Sequence, residues 1–220
     1  MTKPNPHVAH LQEIRTLMER SSRFLSLSGL SGVIAGMAAL AGAAAGYIYL
    51  GRRPFADAPL LELPANGYVT SLSPIPFFLT TALLVLLVAL GAGLWPTILR
   101  ARRQGYAIWS ATSRRLAINL ALPLVVGGLF VLALYRQGML TWIAPTTLVF
   151  YGLALLHADK YTKGDIRYLG MGEIALGLLG CYFPGYGLEC WTLGFGVLHI
   201  AYGIWMWNRF ERAEMQNRPE

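Results

Sequence analysis

Glu173 and His199 are the two residues of this 220-residue chain whose types and spacing best suit chemistry. Both fall inside long apolar stretches, where an ionisable side chain is costly and marks a partner, a cavity or an ion path. The stretches are separated by Pro184-Gly185-Tyr186-Gly187, a sequence that reverses the chain tightly. Glu173 and His199 lie 13 residues on either side of position 186, so equal helical rise puts them at equal depth in a hairpin. A carboxylate and an imidazole so placed could relay a proton, hold a cation or bind a polar group of a solute. The plainer alternative is one hydrogen bond that orders a helix pair.

The same turn brings Cys181 and Cys190 to matching depth at the outer end of the hairpin. An oxidising compartment would let them form a disulfide if their Cα atoms come within ~7 Å, and otherwise they are two buried apolar thiols. Glu189 reads as a hydrated carboxylate near the interface, and His157 as an interfacial residue. Only His199 is a deep histidine, which argues against a haem held by two histidines. No His-Glu-x-x-His occurs, which excludes that zinc-protease motif. No cofactor is implied and no metal is assigned.

The elements that must carry these residues follow from composition. The chain is 55% apolar and only 13% charged, about half the ~25% charged residues of soluble domains. Its apolar residues come in blocks near the ~20 residues that cross a hydrocarbon core. A soluble enzyme, a disordered chain and a nucleic-acid binder are thereby excluded. The expected fold is all-α: a polytopic integral membrane protein with a six-transmembrane-helix bundle. Its spans cover about 24–50, 77–99, 116–135, 139–157, 168–183 and 188–207. Barrel strands would be about half as long and would alternate. Residues 1–23 form a cytoplasmic arm in which Val8, Leu11, Ile14, Leu17 and Met18 recur at helical spacing. That pattern predicts an amphipathic interfacial helix. Residues 208–220 form a cytoplasmic tail.

Charge sets the orientation. Of the 18 Lys and Arg, 15 fall in the arm, the second and fourth loops and the tail. The other three are Arg52, Arg53 and Arg136. Cytoplasmic loops collect positive charge, so both termini are expected in the cytoplasm of a bacterial-type inner membrane. The net charge of +7 then reflects topology and attraction to anionic headgroups, with no role for nucleic acid. The proline-rich stretch 51–76 is expected outside, as a lid.

Gly32, Gly36, Gly42 and Gly46 in the first span form a small-residue face. Such faces let helices approach closely in lipid, either within the chain or across a homo-oligomer.

Gly29-Leu30-Ser31-Gly32, together with His199-Ile200-Ala201, resembles the serine and histidine segments of the rhomboid intramembrane proteases. The resemblance implies Ser31 as nucleophile and His199 as its base. The family's upstream His and Asn have no counterpart in this chain.

Two broader classes of function remain. One is a proton- or ion-linked transporter or channel for a small solute, with Glu173 and His199 as its polar site. The other is a non-catalytic regulatory or binding membrane protein that offers its arginine-rich cytoplasmic face to a protein partner. The first requires a cavity reaching Glu173, and the second a closed core.

Overall fold

The computed structural model describes residues 29–51, 53–55, 74–103, 110–162 and 165–211. The amphipathic arm, most of the proline-rich loop and residues 212–220 lie outside the described residues.

Among the described residues the chain is helical, with no strand. Helix α1 is Gly29–Leu50, α2 is Pro74–Arg103 and α3 is Ala111–Arg136. A 3-10 turn at Leu140–Trp142 leads into α4, Ile143–Ala158, and α5 is Arg167–Tyr182. The last helix, α6, spans 187–211 and changes pitch along its length. It runs as α over Gly187–Trp191, as π over Thr192–Leu198, as α over His199–Met206 and as π over Trp207–Glu211.

Four segments are long and apolar enough to cross a membrane: Gly29–Leu50, Pro76–Leu99, Ala111–Arg136 and Leu140–Tyr161. Helix α5 has 16 residues and α6 is interrupted, so neither matches the sequence expectation of a full apolar span as cleanly.

Local chemistry explains where the helices stop. Gly51 takes a left-handed φ of 63° and its N–H reaches Ile48 O at 3.1 Å, a glycine terminator for α1. The Ser110 side chain accepts the Ser113 N–H at 3.1 Å and starts α3. Gly185, with φ 100°, makes the reversal between α5 and α6.

Small residues decide which helices meet. Helix α1 lies between α2 and α6, while α4 lies between α3 and α5 and also touches the start of α6. The buried stripe of α1 is Gly29, Gly36 and Ala43, flanked by Ala39 and Gly46. All four glycines of the predicted small face meet their own chain. A β-carbon on Gly32 would lie 3.2 Å from Gly203 Cα, and one on Gly36 would lie 2.7 Å from Gly196 O. On Gly42 it would meet Val85 at 2.8 Å, and on Gly46 it would meet Phe78 at 3.1 Å. The close approach that this motif provides is thus used between α1 and its neighbours α2 and α6. Helices α4 and α5 meet in the same way: a β-carbon on Gly152 would sit 2.5 Å from Gly170 O.

Helices α2 and α3 flank this core and turn Leu79, Leu83, Leu87, Leu122, Val125 and Leu129 outward. A belt of exposed leucine and valine is what a helix surface against lipid tails requires.

Candidate functional site

Glu173 on α5 and His199 on α6 face each other inside the bundle. Glu173 is fully buried and His199 is 7% exposed. His199 Nδ1 lies 3.2 Å from Glu173 Oε1. Residues 26 positions apart are therefore neighbours, as their register about the 184–187 turn predicts.

The ring N–H is not aimed at the carboxylate. His199 Nδ1 is 3.1 Å from the carbonyl of Gly194, and among the described residues neither Glu173 oxygen has a hydrogen-bond partner. The carboxylate thus lies beside the N–H as a charge partner, and the carbonyl takes the hydrogen bond. A buried carboxylate of this kind must either bind a proton or face a protonated imidazole, since an uncompensated charge costs several kcal/mol.

A third residue completes the chain. The Tyr151 hydroxyl on α4 lies 2.9 Å from His199 Nε2. A carbonyl can only accept, so Nδ1 carries the ring proton and Nε2 of the neutral imidazole accepts from the tyrosine. When the ring is protonated, the hydroxyl turns and accepts from Nε2. Both states of His199 keep two hydrogen bonds.

Helix α6 supplies the fit. Over Thr192–Leu198 it has π pitch, an irregularity that concentrates at functional sites. The Gly194 carbonyl stands five residues before His199, the interval that a π turn spans. Gly194 also makes room for the acid: a β-carbon there would lie 2.5 Å from Glu173 Oε2 and 2.5 Å from Leu148 Cδ2. The imidazole packs beside two aromatic rings, 5.8 Å from Phe195 at an interplanar angle of 23° and 5.5 Å from Tyr151.

Tyr151 carries only a weak mark in the sequence. Tyr151 and Glu173 lie 11 residues on either side of position 162, the middle of the α4–α5 connection. A tyrosine is ordinary in an apolar helix, so nothing but that register marks it.

Ser31, the nucleophile implied by the protease resemblance, lies on α1, and His199 lies on α6. Ser31 is buried on α1, but the ring nitrogens of His199 are engaged by Tyr151, Gly194 and Glu173. Around Ser31, Gly29 and Gly32 pack against Gly203 of α6. The glycines of the segment that resembles a nucleophile motif make a helix contact here.

Cys181 and Cys190 are both free thiols, and a β-carbon on Gly180 would sit 3.4 Å from Cys190 Cβ. Glu189, expected to be hydrated, is 2% exposed. The start of α6 packs against the start of α4, with Gly187 against Pro145 and the Thr141 carbonyl. Among the described residues, no three His, Cys, Asp or Glu side chains gather as a metal set.

Comparison with protein-family models, curated proteins and solved structures finds no match.

Proposed function

We propose that this chain is a six-span integral membrane protein that couples a small-solute pathway to proton binding at Tyr151, His199 and Glu173. One observation carries the reading. A fully buried carboxylate lies 3.2 Å from an imidazole whose other nitrogen is held by a hydroxyl able to serve either protonation state. A purely structural pair needs no such tolerance, whereas a site that gains and loses a proton does. Glu173 is fully buried, so the cavity that the transport reading requires is closed in this arrangement, and transport would need the bundle to open. The 15-to-3 partition of Lys and Arg supports an inner membrane with both termini in the cytoplasm.

The closure of the core favours a second reading. In it the buried chain holds the fold, and the arginine-rich inner face engages a protein partner without turnover.

Proteoliposomes loaded with a pH dye, challenged with a panel of small solutes, separate the two. Under the transport reading some solute produces a lumenal pH transient. Glu173→Gln abolishes it and leaves the protein folded. Under the second reading no transient occurs, and Glu173→Gln only lowers stability, by ~1 kcal/mol for one interhelical contact.

A further inference from the structure

Helices α5 and α6 leave a groove between them at the end of the bundle away from the 184–187 turn. Tyr168 and Leu169, in the first turn of α5, and Leu198, Ala201, Tyr202 and Trp205 of α6 line it. Its walls are aliphatic and aromatic, and Tyr168 and Trp205, nearest the helix ends, are 54% and 36% exposed. Trp205 and Leu198 lie seven residues apart on α6, so the groove runs about 10 Å from that end toward the bundle centre. Inside a bilayer, walls of this kind are covered by acyl chain in preference to water.

The rim gives the groove a charge. The Arg167 guanidinium lies 5.0 Å from the centre of the Tyr168 ring, and that of Arg209 lies 5.2 Å from the Trp205 ring. Each cation therefore stands over an aromatic wall of the groove, one on α5 and one on α6, at cation–π distance. Tryptophan and tyrosine gather where a membrane's headgroups begin, and a guanidinium presents a planar fork of donors that matches a phosphate. Two acids stand on the α5 side. Asp159 Oδ1 accepts the Arg167 backbone N–H at 3.2 Å and so serves the start of α5, not the guanidinium. Asp165 lies 3.7 Å from Arg167 Nη2 with both side chains exposed, a pairing that is weak in water. The same nitrogen reaches the Tyr168 hydroxyl at 3.4 Å, so both contacts use one nitrogen of the fork.

We propose that this groove binds an anionic phospholipid, with an acyl chain along Leu198, Ala201 and Tyr202 and the phosphate between the Arg167 and Arg209 guanidiniums. The site requires only that the helices lie in a membrane, and it stands apart from the proton-binding reading. The charge partition predicts that this end faces the cytoplasm, where the leaflet carries a negative surface potential and basic pockets between helices hold anionic headgroups. Phosphatidylcholine offers the same chain and phosphate, but its choline cation cancels the charge, and the two arginines discriminate against it.

The test reconstitutes the full chain in phosphatidylcholine bilayers that contain a minor fraction of lipid brominated on its acyl chains. Bromine quenches tryptophan fluorescence on contact, and the Trp205 share of the signal is the difference between the chain and its Trp205→Phe variant. Brominated phosphatidylglycerol is expected to quench Trp205 at lower mole fraction than brominated phosphatidylcholine. Arg167→Gln and Arg209→Gln should each reduce that preference by about fivefold, and Arg136→Gln, at the end of α3, should leave it unchanged. Excess glycerol phosphate, a headgroup without chains, should not displace the lipid. Equal quenching by the two lipids, or a preference that survives loss of both rim arginines, overturns the site. A preference lowered as much by Arg136→Gln overturns it in favour of diffuse surface charge, and displacement by glycerol phosphate overturns it in favour of a free-anion site.

Discussion

The Tyr151 hydroxyl and His199 Nε2 stand 2.9 Å apart, joining α4 to α6 at the level where α5 brings in Glu173. The Gly194 carbonyl at Nδ1 assigns the ring proton to that nitrogen, so the hydroxyl donates to Nε2 of the neutral ring, which predicts the behaviour of Tyr151→Phe. The ring keeps its packing 4.9 Å from Phe195, while Nε2 loses its donor. A 15N shift of Nε2 toward an unbonded nitrogen is expected, with a stability loss of ~1 kcal/mol. An unchanged His199 spectrum would refute the hydrogen bond from Tyr151 to Nε2.

Gly194→Ala is expected to disturb the site from the other side. Its β-carbon would collide with Glu173 Oε2 and with Leu148 Cδ2, each 2.5 Å away, and Leu148 is fully buried. Overpacking of this kind costs ~1–3 kcal/mol. Adding Leu148→Ala should return part of that loss by opening space on one side. Denaturant unfolding in detergent measures both variants, and wild-type stability for Gly194→Ala would contradict the close approach.

Two glycines separate packing from helix propensity. Gly152→Ala pushes against the Gly170 carbonyl at 2.5 Å, a backbone atom that cannot rotate away, and is expected to lower the unfolding midpoint. Gly128 faces open space, so Gly128→Ala should be neutral or stabilising by up to ~1 kcal/mol. Equal effects at the two positions would mean that α4 and α5 do not cross as closely as described.

Topology is checked by single cysteines at Asn66 and Gln104, introduced after Cys181 and Cys190 are removed. The 15-to-3 charge partition predicts position 66 outside and position 104 inside. An impermeant maleimide should label the first in intact cells and the second only in opened ones. Labelling of both from one side would reverse the orientation argument.

Much of the molecule is determined by the sequence alone, because the bilayer leaves the backbone few choices. A polar backbone in hydrocarbon must satisfy itself within a helix or a closed barrel. Apolar blocks of about the right length therefore mark helices, and the described ends of α1 at Leu50 and of α5 at Tyr182 agree with the expected 50 and 183 within one residue. Meeting of Glu173 and His199 was legible for a similar reason, since a tight turn between straight rods leaves one register. Other features depend on which helices pack together, and hydropathy is silent on that. Apolar faces gain nothing by leaving lipid, so small differences in side-chain size choose the partners. Gly203 and Gly196 of α6 select α1, Gly152 and Gly170 join α4 to α5, and the pitch change at Thr192–Leu198 turns a carbonyl toward the imidazole. Only that three-dimensional packing brings Tyr151 to His199 and buries Glu189, because each depends on atoms from helices that the linear pattern does not pair.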